Sequence, residues 1–499
     1  MRLELIERHL KGCRVLDPAD VEVTGISCDS RSIRGGGVLF AALPGEHVDG
    51  NDFIEDAVRR GAVCILTERE TDIRGSGAVP MIIVPDVREA LSGLASLLSG
   101  EPSKRLALVG VTGTNGKTTT TYLLEAIFSE AGFSAGVVGT VNYRYGTRVY
   151  PAPHTTPQAP ELQGILKEMA DSGVTHCAME VSSHALEQKR VNGCGFDCVV
   201  FTNLTPEHLD YHKTMEEYFN AKALLFGLLK EGGRAVVNRD DPWADRALTK
   251  APGAVTYSLS EGAEVHPLWY KLSEDGIRAL VATPAGPVEV SSVLVGDYNL
   301  QNILASIAAS IVLGIDARAV ERGIFALERV PGRLEKVSGP GNLFNAYVDY
   351  AHTPDALERA LATLAGITTG RIITVFGCGG NRDRTKRPRM GEAAARFSAL
   401  TVITSDNPRD EDPLSIIGEI EAGIKGVRKY DADEFFSDEK GYMVIPERAD
   451  AIRKAVTAAR QGDTVLVAGK GHEDYQIIGP KRVHFDDTEV LRSALAAMS

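Results

Sequence analysis

No run of apolar residues in this 499-residue chain approaches the roughly 20 that a membrane-spanning helix needs, so no membrane insertion is expected. The opening stretch MRLELIERHLKGC is charged and amphipathic and does not read as a signal peptide. Cysteine is scarce: the seven present are an odd number with no CxxC pair, which argues against a disulfide framework and for reduced thiols in the cytoplasm. Cys194 and Cys198 are the closest pair, and without matching partners they read as core or turn residues rather than as a zinc site. Basic charge is not in excess either. The 54 Lys and Arg against 67 Asp and Glu leave a formal net charge of -13, which disfavours a nucleic-acid partner. Low-complexity tracts and short-period repeats are lacking as well.

What is present is ordinary soluble-protein material, 43% apolar and 24% charged, in a chain too long for one core. The alternation of short apolar runs with helical spacing predicts an α/β protein of three domains, at residues 1–102, 103–330 and 331–499. In the second segment, candidate strands are Ala135 to Gly139, His176 to Val181, Cys198 to Thr202 and Ala235 to Asn238. In the third they are Ala346 to Tyr350, Arg371 to Phe376, Leu400 to Thr404 and Thr464 to Ala468. Parallel sheets place ligands at the C-terminal ends of their strands, so the polar residues following each strand are the first candidates for function.

Residues 109–121 read VGVTGTNGKTTTT. The common phosphate-loop spacing asks for Gly at position 111, which is Val111, yet the physical requirements are met. An apolar strand precedes the loop, and helical spacing from Thr118 to Gly132 follows it, so free N–H groups and a positive helix end face an anion. Gly113 and Gly116 permit positive φ and close approach, Lys117 supplies a point charge, and the Thr118 hydroxyl suits Mg²⁺. This predicts binding of nucleotide phosphates.

Of three other features, two have two readings each. His208 and His212 lie four apart in a stretch that opens like a helix, with Thr205 as cap and Pro206 in the first turn. They read as a helix surface or, with Glu180 at the end of its strand, as part of a Mg²⁺ site. Lys222 on an amphipathic helix reads from spacing as a surface lysine. The run Arg382, Arg384, Lys386, Arg387 and Arg389 is either an exposed basic loop or a grip on carboxylates or phosphates.

Taken together, these residues resemble the Mur ligase family of ATP-dependent amino-acid ligases, over essentially the whole chain. The resemblance rests on Thr112–Thr119, Met179–His184, Asn203–Asp210, Tyr298–Asn302, Pro331–Arg333 and Asp349–Pro354. It implies a small N-terminal α/β domain, a central P-loop ATPase-like parallel-sheet domain and a C-terminal Rossmann-like α/β domain. Within the family, Asp406-Asn407-Pro408-Arg409 and Gly469-Lys470-Gly471-His472-Glu473 are similar to the members that add meso-diaminopimelate to UDP-N-acetylmuramoyl-L-alanyl-D-glutamate.

The resemblance implies ATP contacts at Gly113, Thr114, Asn115, Gly116, Lys117, Thr118, Thr119, Asn302, Arg333 and Asp349. Ser30, Thr155, Thr156, Ser182, Gln188 and Arg190 would hold the UDP-linked substrate, and Arg382, Asp406, Asn407, Pro408, Arg409, Gly469 and Glu473 the diaminopimelate. Lys117, Lys222, His208 and Glu180 would be catalytic, with Mg²⁺ held by Thr118, Glu180, His208 and Lys222, the lysine converted to a CO₂-derived carbamate. A cytoplasmic monomer is expected.

Overall fold

The computed structural model describes residues 1–45, 48–71, 79–337, 344–434, 436 and 439–498. It divides into two compact units, Met1–His266 with Ala282–Gly286 and Asn302–Gly323, and Pro267–Val281 with Pro287–Gln301 and Ile324–Ser499.

The first unit holds two sheets. Strands Arg14–Leu16 (β1), Gly25–Ser27 (β2), Val38–Ala41 (β3), Ala62–Thr67 (β4) and Met81–Ile83 (β5) form a sheet in the order β1-β5-β4-β3-β2, parallel except for β1. The larger sheet comprises Ala107–Thr112 (β6), Ala135–Val138 (β7), Asn142–Tyr145 (β8), Arg148–Pro151 (β9), His176–Glu180 (β10), Phe196–Phe201 (β11), Leu229–Asn238 (β12) and Val255–Tyr257 (β13). Its order is β13-β12-β11-β6-β10-β7-β8-β9, with β6 at the centre between β11 and β10. The inner strands are buried along nearly their whole length, because helices cover both faces of a parallel sheet. The antiparallel hairpin β8–β9 at one edge has no sequence signature beyond alternation, and it was not anticipated.

In the second unit, His266–Ser273 (β14), Gly276–Ala282 (β15) and Val288–Ser292 (β16) form a small sheet that was likewise not anticipated. The main sheet contains Glu335–Lys336 (β17), Asn345–Asp349 (β18), Ile372–Phe376 (β19), Leu400–Ile403 (β20), Arg428–Tyr430 (β21), Gly441–Val444 (β22) and Thr464–Ala468 (β23). Its order is β17-β18-β23-β19-β20-β22-β21, parallel apart from β17. A hairpin, Tyr475–Ile478 (β24) with Lys481–His484 (β25), follows. Every residue of β19, β20 and β23 is buried, and one apolar cluster lies on each face of the sheet. Each such Val, Ile or Leu contributes about 1.5–3 kcal/mol of burial.

The expected strands of the second and third segments therefore form, with ends displaced by a few residues. No helix among the described residues is long and apolar enough to cross a membrane. Cys194 and Cys198 are buried core residues with free thiols, as expected.

Helices Lys386–Phe397 and Pro413–Glu421 pack closely because Gly391 has no side chain: a Cβ there would stand 2.3 Å from the Ile420 carbonyl oxygen. Gly418, on the second of these helices, faces open space. Gly391→Ala should cost about 1–3 kcal/mol from overpacking. Gly418→Ala should gain about 0.5–1 kcal/mol by favouring the helix. Opposite shifts of the thermal unfolding midpoint would confirm both.

Candidate active site

The loop after β6 is shaped by the end of β11. Gly113 (φ 149°) could not carry a Cβ, which would sit 1.9 Å from Thr202 Oγ1, and Gly116 (φ 88°) faces Asn302 in the same way at 2.4 Å. Glycine is thus required by neighbouring protein atoms as well as by any anion. The Asn115 amide donates to Asn203 Oδ1 at 2.9 Å, and Thr202 Oγ1 donates to the Asn115 carbonyl at 2.6 Å. Helix Lys117–Glu130 begins directly at the loop, with Thr118 and Thr119 buried in its first turn. Lys117 Nζ folds back to donate to the Gly113 and Thr114 carbonyls, each at 2.8 Å.

Glu180, at the end of β10, is the meeting point of the next group. Its carboxylate accepts from Thr118 Oγ1 at 3.1 Å and from the Thr140 amide and hydroxyl, both at 2.9 Å. Thr140 Oγ1 lies 3.1 Å from Thr155 Oγ1. Thr156 Oγ1 donates to the Glu180 carbonyl and accepts from the Ser182 amide. Arg190 donates to the Thr156 carbonyl at 2.9 Å and to Gln188 Oε1 at 2.6 Å. Thr118, Thr155, Thr156, Glu180, Ser182, Gln188 and Arg190 therefore belong to one hydrogen-bonded network. Thr140, which links two of its branches, was missed because nothing local distinguishes it from other strand-end threonines.

Ser30 is not part of that network. It is buried in the N-terminal sheet domain and donates to Asp56 Oδ2 at 2.8 Å. Arg190 is near enough to this loop for its charge to oppose the upward shift that burial gives the Cys28 thiol.

Lys222 does not lie on the surface. Its side chain is 1% exposed, its Nζ donates to the Gly113 carbonyl at 2.9 Å, and it stands over the Tyr218 ring at 4.4 Å. Burial, helped by the Lys117 charge, pushes its pKa well below the usual lysine range.

The expected helix start at Thr205 is corrected by the structure. His208, in left-handed conformation (φ 56°), precedes a single-turn helix, Leu209–His212. The pair is not a helix surface either: His212 is buried, with Nε2 2.9 Å from Ser183 Oγ and Nδ1 3.2 Å from Glu187. His208 packs edge-on against His184, ring centroids 4.9 Å apart, and near Tyr218. Burial lowers the pKa of His184 and of His212 to about 4, so both rings are neutral near pH 7. Among the described residues no three His, Cys, Asp or Glu side chains gather as a metal site.

In the second unit, buried Asp349 accepts from the Leu334 amide at 2.7 Å and the Ala351 amide at 2.8 Å, and burial raises its pKa. Arg333 stands over the Tyr350 ring at 4.7 Å, with His352 and His472 against the same ring.

A second group forms where β19, β20 and β23 end. Asn407 Nδ2 donates to Glu473 Oε2 at 2.9 Å, while its Oδ1 accepts from the Ile477 amide. Arg409 Nη1 donates to the Gly380 carbonyl at 2.7 Å, and Arg382 donates to the Asn381 carbonyl at 3.3 Å. Asp406 lies against Gly469, and Pro408 against Gly380. All seven residues expected in this pocket are therefore adjacent. The basic run is not a bare cationic loop: Glu419 pairs with both Arg384 and Arg387, and Glu411 pairs with Arg387. Arg382 and Arg409 have no carboxylate partner among the described residues, so their charges remain available to a ligand.

Family models match three stretches: "Mur ligase family, catalytic domain" at residues 22–98, "Mur ligase middle domain" at 111–310 and "Mur ligase, glutamate ligase domain" at 332–471. A UDP-N-acetylmuramoyl-L-alanyl-D-glutamate–2,6-diaminopimelate ligase of Geobacter metallireducens is 48% identical over 510 residues, covering 100% of this chain and 99% of its own. The enzyme of the same name from Geobacter sulfurreducens is 49% identical, covering 98% and 97%. A solved structure of a UDP-N-acetylmuramoyl-L-alanyl-D-glutamate–2,6-diaminopimelate ligase superposes with a TM-score of 0.68 at 35% identity, covering 95% of both chains. MurF from Acinetobacter baumannii, at 18% identity and a TM-score of 0.64, shares the fold over 93% of this chain and 95% of its own. With relatives at this identity aligned from end to end, the chain belongs to the Mur ligase family.

Proposed function

We propose that this ligase joins meso-diaminopimelate to the D-glutamyl γ-carboxylate of UDP-N-acetylmuramoyl-L-alanyl-D-glutamate, with cleavage of ATP to ADP and phosphate. The observation that carries the choice of amino acid is the group Arg382, Asn407, Arg409 and Glu473, in which two guanidinium groups without a carboxylate partner among the described residues flank Gly379, and Asn407 links their strand ends to the Glu473 carboxylate. Diaminopimelate exceeds lysine by one carboxylate on its distal amine-bearing carbon. A guanidinium can pair with that group in a two-pronged bond, and lysine would leave it unpaired.

The reaction begins when the γ-carboxylate attacks the γ-phosphorus of ATP and ADP leaves. The amine of diaminopimelate then adds to the acyl phosphate, and the tetrahedral adduct expels phosphate as the nitrogen loses its proton. Lys117 exchanges the Gly113 and Thr114 carbonyls for phosphoryl oxygens and neutralises charge developing there. Gly113 to Thr119 hold the phosphates, and Asn302, Arg333 and Asp349 the rest of the nucleotide. Thr155, Thr156, Ser182, Gln188 and Arg190 orient the peptide end of the UDP substrate, and Ser30 its uridine end.

The Thr118 hydroxyl and the Glu180 carboxylate, 3.1 Å apart, are hard oxygen donors that suit Mg²⁺. When bound, that ion screens charge on the transferred phosphoryl group. His208 and Lys222 would complete its surroundings, the latter only as a carbamate, since an ammonium would repel a cation. Carbamate formation needs a neutral amine, which adds CO₂ and releases a proton, and burial beside Lys117 favours that neutral form. Residues 1–102 serve the uridine end of the UDP substrate, 103–330 ATP and the peptide end of that substrate, and 331–499 chiefly the amino acid.

A coupled assay of phosphate release and product mass, comparing meso-diaminopimelate with L-lysine, tests the assignment. Tripeptide with diaminopimelate alone is expected, and equal use of lysine would refute the arginine argument. Arg409→Lys should lower kcat/KM for diaminopimelate roughly 10- to 100-fold, the loss expected for a charge-assisted pair. Lys222→Met should abolish turnover, and isotope-labelled bicarbonate should give a carbamate signal in the wild-type protein that this variant lacks.

A further inference from the structure

The two arms of the amino-acid pocket come from separate strand ends, residues 377–385 after β19 and 404–412 after β20. What fixes them to one another lies behind the pocket, outside the residues assigned to ligand contact. Arg387 is in the first turn of helix Lys386–Phe397 and its side chain is fully buried. Its Nη1 and Nη2 donate to the two oxygens of Glu411, each at 2.9 Å, and Nη1 also donates to Glu419 Oε2 at 2.9 Å. Nη2 further reaches the Gly379 carbonyl at 3.3 Å. The first turn of that helix has no acidic residue and places Lys386, Arg387 and Arg389 at a positive helix end. Glu411 and Glu419 supply from outside the negative charge the helix lacks.

Glu411 has a second partner that Glu419 does not share. Its carboxylate accepts from the Asn381 amide. Asn381 and Arg409 both adopt left-handed backbone conformation at φ 53°, which side-chain-bearing residues hold only when surrounding bonds impose it. Asn381 Oδ1 in turn accepts from the Asp410 amide at 3.2 Å. Three consecutive residues of the first arm are therefore fixed: the Gly379 carbonyl by Arg387, the Gly380 carbonyl by Arg409, and the Asn381 amide by Glu411. Arg382 follows directly, so its position and that of the Arg409 guanidinium depend on the same clasp.

We propose that Arg387 and Glu411 are positioning residues for amino-acid recognition, a clasp around the buried Arg387 guanidinium that aligns Arg382 and Arg409 on the carboxylates of the incoming amino acid. The inference rests on the reading of that pocket given under the proposed function. Neither residue of the clasp touches the substrate. Loosening it should weaken capture of the amino acid while leaving the phosphate loop and the UDP-substrate residues of the first unit as they are.

The test is steady-state kinetics of wild-type, Glu411→Gln and Glu419→Gln proteins, with ATP, the UDP-dipeptide and diaminopimelate varied in turn. Glu411→Gln should raise KM for diaminopimelate at least about 10-fold, the loss expected of a weakened charge-assisted contact, with kcat and the other two KM values within about 3-fold. Glu419→Gln removes a carboxylate from the same guanidinium but no bond to Asn381, and should leave KM for diaminopimelate within about 2-fold. Should Glu411→Gln fail to fold, Glu411→Asp keeps the charge but falls short of the Asn381 amide, and the same rise in KM is expected. An unchanged KM in a folded Glu411 variant, or equal KM rises in the Glu411 and Glu419 variants, would overturn the clasp. If the wild-type protein forms no product with diaminopimelate, the functional reading falls and the inference falls with it.

Discussion

A cation taken out of water must be given oxygen atoms in return, and this requirement organises both candidate sites. Among the described residues four lysine and arginine side chains are buried, Lys222, Arg387, Arg448 and Lys470, and burial drives the first of them toward its neutral form. Each donates to a main-chain carbonyl in or beside a strand-end loop. Lys222 meets Gly113, Arg387 meets Gly379, Arg448 meets Ser405 and Ala468, and Lys470 meets Tyr475. The cost of burying each polar head is offset only while the loop keeps its conformation, so the loop and the buried side chain stabilise one another.

The Arg448–Asp487 pair is the plainest case. Both side chains are fully buried, with bonds of 2.7 Å from Arg448 Nε and Nη2 to the two carboxylate oxygens. Removing one partner of such a pair typically costs about 3–5 kcal/mol, because the other is left charged in a dry place. The remaining donors of Arg448 hold the carbonyls from which Asp406 and Gly469 project. Stability of the second unit and geometry of its pocket are in this respect one property.

Much of this was legible in the sequence. The apolar runs of β19, β20 and β23 announce strands buried on both faces, and strand, glycine loop and helix around Lys117 are readable because each step obeys a local rule. The pairing of Asn407 with Glu473 was readable only as two motifs, 66 residues apart. Burial of Lys222 was not readable from spacing at all, since a lysine on an amphipathic helix shows its orientation only once the neighbouring loop is in place. The same holds for Arg387: locally it is one of five basic residues, and only the fold brings Glu411 and Glu419 to it. The helix start near His208 was misread because Thr205 and Pro206 fit a capping pattern, whereas Thr205 instead bonds Thr114 in the phosphate loop.

Backbone strain follows the same division. Eight residues other than glycine have positive φ among those described, and five of them are at or beside assigned positions: Lys189, His208, Leu334, Asn381 and Arg409. Each such conformation costs roughly 1–2 kcal/mol against a helical or extended one. It persists where several bonds converge, as at Arg409, whose amide donates to Ile477, whose carbonyl accepts from Gly479 and whose side chain holds Gly380. Strained loops alone would relax, and buried cations alone would be too costly. Together they give rigid strand ends in a chain whose ligand-facing residues come from distant segments. On the proposed reading of that pocket, its selectivity depends partly on the helices behind it, where a substitution changes substrate preference without touching the substrate.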